Sequence, residues 1–202
     1  MGDFALKDCK FVYIDDNSNE EVLIDLTDNM SNRGRIPFHS EFTDITIPYL
    51  VLRNMELHET FCENNRNLIK NEAYYSLIDV LFIREHIRTK FPKLVVQVGK
   101  SDDVLEKHIR NIARELHPET KYEIVDDYFD LERMQSNVDM MFIYGKALSK
   151  NIEENFNSYI RVLKPSGWIC VFDREADSFQ ITSQGWIKYT LGMGNTIYER
   201  HI

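Results

Sequence analysis

The stretch KLVVQVGKSDDVLEKHI, Lys93 to Ile109, changes its period part-way along. Leu94 to Val98 is a short apolar run around one polar residue, Gln97, and Gly99 ends it. From Val104 the positions Val104, Leu105, His108, Ile109, Ile112, Ala113 and Leu116 recur at three- and four-residue spacing until Pro118 closes the pattern. The first part predicts a buried strand and the second an amphipathic helix. Where a strand turns straight into a helix in α/β proteins that hold nucleotides, several glycines usually let the ligand press against the backbone. Here Ser101, Asp102 and Asp103 stand where more glycine is expected.

The same alternation extends on both sides. Upstream, Leu68, Ile69, Ala73, Leu77, Ile78, Leu81 and Ile87 predict a helix from about Asn67 that ends near Lys90, as Pro92 requires. Downstream, KYEIVDD reads as a second strand, and VDMMFIYG as a third whose Met140 to Ile143 run suits burial on both faces of a parallel sheet. Ile152, Phe156, Tyr159, Ile160 and Leu163 mark a further helix, with Ser149 or Asn151 as cap and Pro165 as stop. The turn KPSG then leads into WICVFD, a fourth strand, and GWIKYTL and NTIYERHI form a closing antiparallel hairpin around GMG. Strands alternating with helices predict a doubly wound, mostly parallel α/β sheet with right-handed crossovers. Ligands on such sheets bind beyond the C-terminal strand ends. Those ends are Gly99 to Asp103, Asp126 and Asp127, Tyr144 to Lys146, and Asp173 to Glu175.

Residues 1–65 have a different texture and are expected to form a β-rich extension to a domain of residues 66–202. Phe11 to Ile14 and Val22 to Leu26 flank the turn-rich Asp15 to Glu20 and predict a hairpin. TDITIPYLVLRNMELHETF is expected to add one or two extended segments, with Pro48 at an edge or break. Tyr13, Asp15, Phe38 and Tyr49 of this extension are read as members of its own small core rather than of a lid.

Composition sets the function classes. With 202 residues, 43% of them hydrophobic, the chain can bury one substantial core. A net charge of −9 argues against nucleic acid, which needs clustered Lys and Arg. No apolar run approaches the roughly 20 residues that span a bilayer, and MGDFALKDCK has neither signal-peptide order nor, with Leu6, a myristoylation pattern. No membrane association is expected, and a cytoplasmic location is. The three cysteines, Cys9, Cys62 and Cys170, form no C-x-x-C, and the six histidines form no H-E-x-x-H, so no metal is expected. Cys170 is read as a small buried hydrophobe, and His86 and His108 as helix-face residues.

VVQVG, VDMMFIYGK and LKPSGWICVFD, together with the closing hairpin, resemble the class I S-adenosylmethionine-dependent methyltransferases, most closely their small-molecule O-methyltransferase-like branch. The resemblance runs from about Asn67 to Ile202, and LKPSGW before a buried strand is its most telling piece. It implies a Rossmann-like sheet, S-adenosylmethionine as cofactor and a small-molecule acceptor. In the family the first strand ends in an acid followed by a glycine set. Here Gln97 replaces the acid, Gly99 is the glycine retained, and Ser101 and Asp103 occupy the other two glycine positions. Asp103 with Glu106 also fits a helix-capping pair, so SDD reads both as a helix start and as an altered cofactor turn.

Only KYEIVDDYFDLERMQSN separates the helix after Gly99 from the DMMFI strand, so the sheet is expected to be shorter than the family's by about one strand-helix unit. The surviving strand matches the family's second or third. Paired beside the first, it makes Asp126 or Asp127 the candidate acceptor for the ribose hydroxyls, against a plain reading as turn carboxylates. Tyr144 stands where metal-dependent members carry Asp, and a phenol is a poor magnesium ligand. Tyr144 and Lys146 are placed instead at a substrate mouth, and Asp173 matches the acid ending the family's fifth strand.

The candidate cofactor residues are therefore Gly99, Ser101, Asp103, Asp126, Asp127 and Tyr144, with no catalytic residue assigned. Two functions follow: a diverged methyltransferase of a small acceptor, or a non-catalytic methyltransferase-like module. The module would bind a protein or itself through the N-terminal extension or an exposed sheet edge.

Overall fold

The computed structural model describes residues 3–7, 10–14, 18–23, 51, 53–65, 72–99, 104–126, 128–131, 134, 137–144, 152–172, 185–192 and 195–200. The main sheet has six strands: β4 (Leu94–Val98), β5 (Lys121–Val125), β6 (Val138–Tyr144), β7 (Leu163–Phe172), β8 (Trp186–Thr190) and β9 (Thr196–Arg200), in the order β5-β4-β6-β7-β9-β8. The first four are parallel; β9 pairs antiparallel with both β7 and β8. The expected α/β sheet with a closing antiparallel hairpin is present, and the hairpin's last strand is its inner one.

From β4 the chain steps outward to β5, then returns past β4 to β6. A chain that reverses direction while keeping one crossover hand must change the face carrying its helices. The packing agrees. On one face, Val95, Met140, Phe142, Tyr144, Trp168, Cys170 and Phe172 meet α1 (Met55–Asn65), α2 (Glu72–Lys90) and α3 (Val104–Leu116). On the other, Val96, Val98, Val125, Met141, Ile143, Ile169 and Val171 meet α4 (Tyr128–Leu131) and α5 (Ile152–Val162). The sheet is thus doubly wound, with its switch point between β4 and β6. Among the described residues β5 alone lies outside β4.

β1 (Asp3–Lys7), β2 (Lys10–Ile14) and β3 (Glu21–Leu23) form a small antiparallel sheet in that order. The predicted hairpin is its β2–β3 pair; β1 was not foreseen. Phe38, Pro48 and Tyr49 lie outside the described residues.

Two expectations are corrected. Met55 to Phe61, read as extended, is the first part of α1. Met55, His58 and Cys62 are buried at steps of three and four, which is one helical face. Asn54 caps the helix, its side-chain oxygen accepting from the amide of Leu57 at 3.1 Å. Leu163, read as the end of a helix, instead opens β7 opposite Val138. KPSG is not a turn before the strand but a bulge within it, since Val138 to Met140 on β6 faces Leu163 to Trp168 on β7.

Helix α2 is buried on all sides from Leu77 to Ile87, including Asp79, Arg84, Glu85 and His86. Glu85 is satisfied along its own helix by a two-pronged bond from Arg88, at 2.6 and 2.9 Å. No described helix is long and apolar enough to cross a membrane.

Candidate functional site

Register places three of the candidate residues at one level. Val98 is opposite Val125 on β5 and opposite Ile143 on β6, so Gly99 and Asp126, just past β4 and β5, stand at the same height as Tyr144, the last residue of β6. Gly99 has φ of 85°, in the left-handed region where a Cβ is disfavoured. Its amide donates to the carbonyl of Val125 at 2.8 Å, extending the β4–β5 ladder by one step and drawing the glycine beside Asp126. Asp126 is solvent-exposed.

Beneath this turn lies a buried polar chain that sequence reasoning missed. The side-chain amide of Gln97 donates to the Gly99 carbonyl at 2.9 Å, and the Tyr122 hydroxyl on β5 donates to the Gln97 oxygen at 2.9 Å. Burial, with the Glu106 carboxylate adding to it, pushes the Tyr122 pKa up, so the phenol remains a donor. An ionised acid at position 97 cannot donate to a carbonyl. The amide at position 97 therefore supplies the donor that fixes the glycine turn. A lone polar residue inside VVQV was its visible signal.

Tyr144 is buried, its ring stacked on Phe172 with centroids 4.9 Å apart and planes at 23°. Phe172 stacks in turn on Phe142 at 5.8 Å. Tyr144 thus belongs to an aromatic layer on the α2 and α3 side of the sheet, under the end of β6. Ser101, Asp102, Asp103, Asp127, Lys146 and Asp173 lie outside the described residues. Of the six candidate cofactor residues the structure accordingly brings Gly99, Asp126 and Tyr144 together.

At the opposite end of the sheet, Asp139 ties three groups: the amides of Lys93 and Leu94, each at 2.9 Å, and the Lys164 ammonium at 2.6 Å. A cavity of about 250 Å³ there is lined by Lys90, Asp139, Met140 and Ser166. It lies at the amino ends of the strands, away from the crevice where doubly wound sheets hold ligands.

No family model matches the chain, and no curated protein matches it. Among solved structures it is similar to a methyltransferase from Geobacter sulfurreducens, at 13% identity and a TM-score of 0.45, covering 77% of this chain and 91% of that one. It is similar also to a Podospora anserina methyltransferase with S-adenosylhomocysteine bound, at 11% identity and a TM-score of 0.47, covering 77% and 89%. A third is an O-methyltransferase of tomaymycin synthesis from Streptomyces achromogenes in complex with S-adenosylmethionine, at 10% identity and a TM-score of 0.40, covering 82% and 95%. None is close enough in sequence to lend its residues to this chain.

Proposed function

We propose that the chain binds S-adenosylmethionine across the carboxyl ends of β5, β4 and β6, and that it is a diverged methyltransferase of a small-molecule acceptor. The observation that carries this reading is the common level of Gly99, Asp126 and Tyr144 at the switch point. Gly99, without a Cβ and held by Gln97, lets a ligand approach the backbone. In this reading the Asp126 carboxylate accepts from vicinal ribose hydroxyls, which the pairing of β5 directly beside β4 supports. Tyr144 forms apolar floor beyond the switch point. Ser101, Asp103 and Asp127 are included as flanking contacts on the strength of the sequence resemblance.

The cofactor supplies an activated methyl group; the chain's contribution is to hold acceptor and methyl in line and to exclude water. Isothermal titration with S-adenosylmethionine and S-adenosylhomocysteine tests the reading. Micromolar binding is expected, weakened roughly ten- to a hundredfold in Asp126→Ala, the loss of about 1.5–3 kcal/mol for hydrogen bonds to a charged acceptor. Absence of heat with the wild-type chain at high concentration contradicts it.

One observation favours a second reading, a self-associating module. β5 is an edge strand among the described residues, and Ile124 on it is 42% exposed. Such an edge can pair with another copy of itself. Sedimentation of wild type against Ile124→Lys decides this: a dimer lost in the variant supports it, and a concentration-independent monomer removes it.

A further inference from the structure

Helices α1 and α2 meet at a fully buried polar cluster that plays no part in the crevice. His58 and Asp79 are wholly buried, and Cys62 is 1% exposed. His58 and Cys62 lie four residues apart on α1, hence on one face, and Asp79 approaches from α2. The Nε2 atom of His58 is 3.2 Å from Asp79 Oδ1 and 3.8 Å from Cys62 Sγ, and the three donor atoms all lie within 4.8 Å of one another.

The geometry separates this cluster from a nucleophile-base-acid triad. In a triad the two partners use different ring nitrogens, the nucleophile on one and the acid on the other. Here sulfur and carboxylate converge on the same nitrogen, while Nδ1 has no hydrogen-bond partner among the described residues. A single ring nitrogen offers one proton or one lone pair and cannot serve both neighbours well. A cation at their common centre can.

We propose that His58 Nε2, Cys62 Sγ and Asp79 Oδ1 form a site for a divalent transition-metal ion, zinc by the chemistry of its donors, that fastens α1 to α2. Nitrogen, thiolate and carboxylate together suit a borderline ion such as zinc. With bonds of roughly 2.0–2.3 Å, donors on a tetrahedral zinc stand about 3.3–3.7 Å apart. Two edges of the cluster are already near that range, and the sulfur-to-carboxylate edge closes by at most about 1.5 Å. As the metal binds, the thiol proton leaves to solvent and the ring shifts its one proton from Nε2, which faces Asp79, to Nδ1, freeing the Nε2 lone pair for the metal. One carboxylate, one thiolate and a neutral imidazole around a dication sum to zero charge, which suits a buried position.

The surroundings hold the donors still. The Gly192 amide donates to Asp79 Oδ1 at 2.9 Å, orienting the carboxylate from the β8–β9 connection. The His58 ring lies against Phe82 with centroids 4.3 Å apart. Next to His58, the Glu59 carboxylate accepts from the Thr190 amide at 2.8 Å, tying α1 to the same hairpin. An ion here would join α1, α2 and the β8–β9 hairpin, a structural role distinct from cofactor binding.

The test is cobalt titration of metal-free full-length chain, read by the thiolate-to-cobalt charge-transfer absorption, with zinc as competitor. The proposal expects one equivalent bound, the band displaced by one equivalent of zinc, and a higher melting temperature with zinc than with chelator. Cys62→Ser should lose the band, and Cys170→Ala, which alters a buried cysteine outside the cluster, should keep it. A folded wild-type chain that shows no charge-transfer band overturns the proposal, as does an equal band in Cys62→Ser. The wild-type titration decides by itself if a variant fails to fold.

Discussion

Acidification should withdraw stability through His86, and the structure sets both the window and the size. The imidazole sits in the middle of α2, against Phe82 at 4.2 Å and edge-on to Trp168 at 6.0 Å. Its Nδ1 is 3.0 Å from the Phe82 carbonyl, the placement of a donated ring proton. Burial brings its pKa down from 6.5 to about 4, with the Phe82 bond opposing that shift. In the unfolded chain the ring takes a proton near 6.5; in the folded chain it resists until about 4. Between those values the unfolded state binds more protons, so stability rises with pH. The contribution is therefore complete above 6.5, falls as pH drops toward about 4, and is spent below that. A gap of roughly two and a half units at 1.36 kcal/mol each is worth about 3 kcal/mol. Urea unfolding of wild type and His86→Gln from about pH 7.5 to about pH 4.5 reads this directly, because carboxylates common to both chains cancel in the difference. Wild type should lose about 2–3 kcal/mol relative to the variant across that window. A difference that stays flat with pH refutes the reasoning.

Three substitutions probe the frame around the crevice and the helices. A Cβ on Gly167 would meet Leu163 Cγ at 2.7 Å and the Asp139 carbonyl oxygen at 3.0 Å, so Gly167→Ala should cost about 1–3 kcal/mol, read as a lower melting temperature. Tyr122→Phe leaves the buried Gln97 oxygen without its donor and should cost about 1–2 kcal/mol by chemical denaturation, with faster hydrogen exchange at Gly99. Asn54→Ala removes the cap of α1 and should cost about 1 kcal/mol, with Asn54→Ser recovering most of it.

The parallel sheet was legible because its strands are apolar runs bounded by glycine, proline or acid, and because the amphipathic faces of α3 and α5 repeat cleanly. The location of the crevice followed from those two facts alone. What stayed hidden was tertiary. α1 lies in a β-textured region, and its evidence was spread across Met55, His58 and Cys62 with Asn54 before them. α2 carries Asp79, Arg84, Glu85 and His86 inside the core, so its polar residues do not mark a solvent face. The role of Gln97 shows only once Gly99 and Tyr122 stand on either side of its amide. The pairing of His58 with Cys62 becomes visible only once α1 is a helix, and Asp79 joins them only through packing.

The proposal that the crevice binds S-adenosylmethionine is tested most directly by following the backbone amide resonances of the isotope-labelled chain during titration with S-adenosylhomocysteine. Shifts that saturate together at Gly99 and Asp126, with β1 to β3 unmoved, are the predicted result. Spectra that remain unchanged at millimolar ligand, or shifts confined to residues away from the ends of β4 and β5, contradict the account.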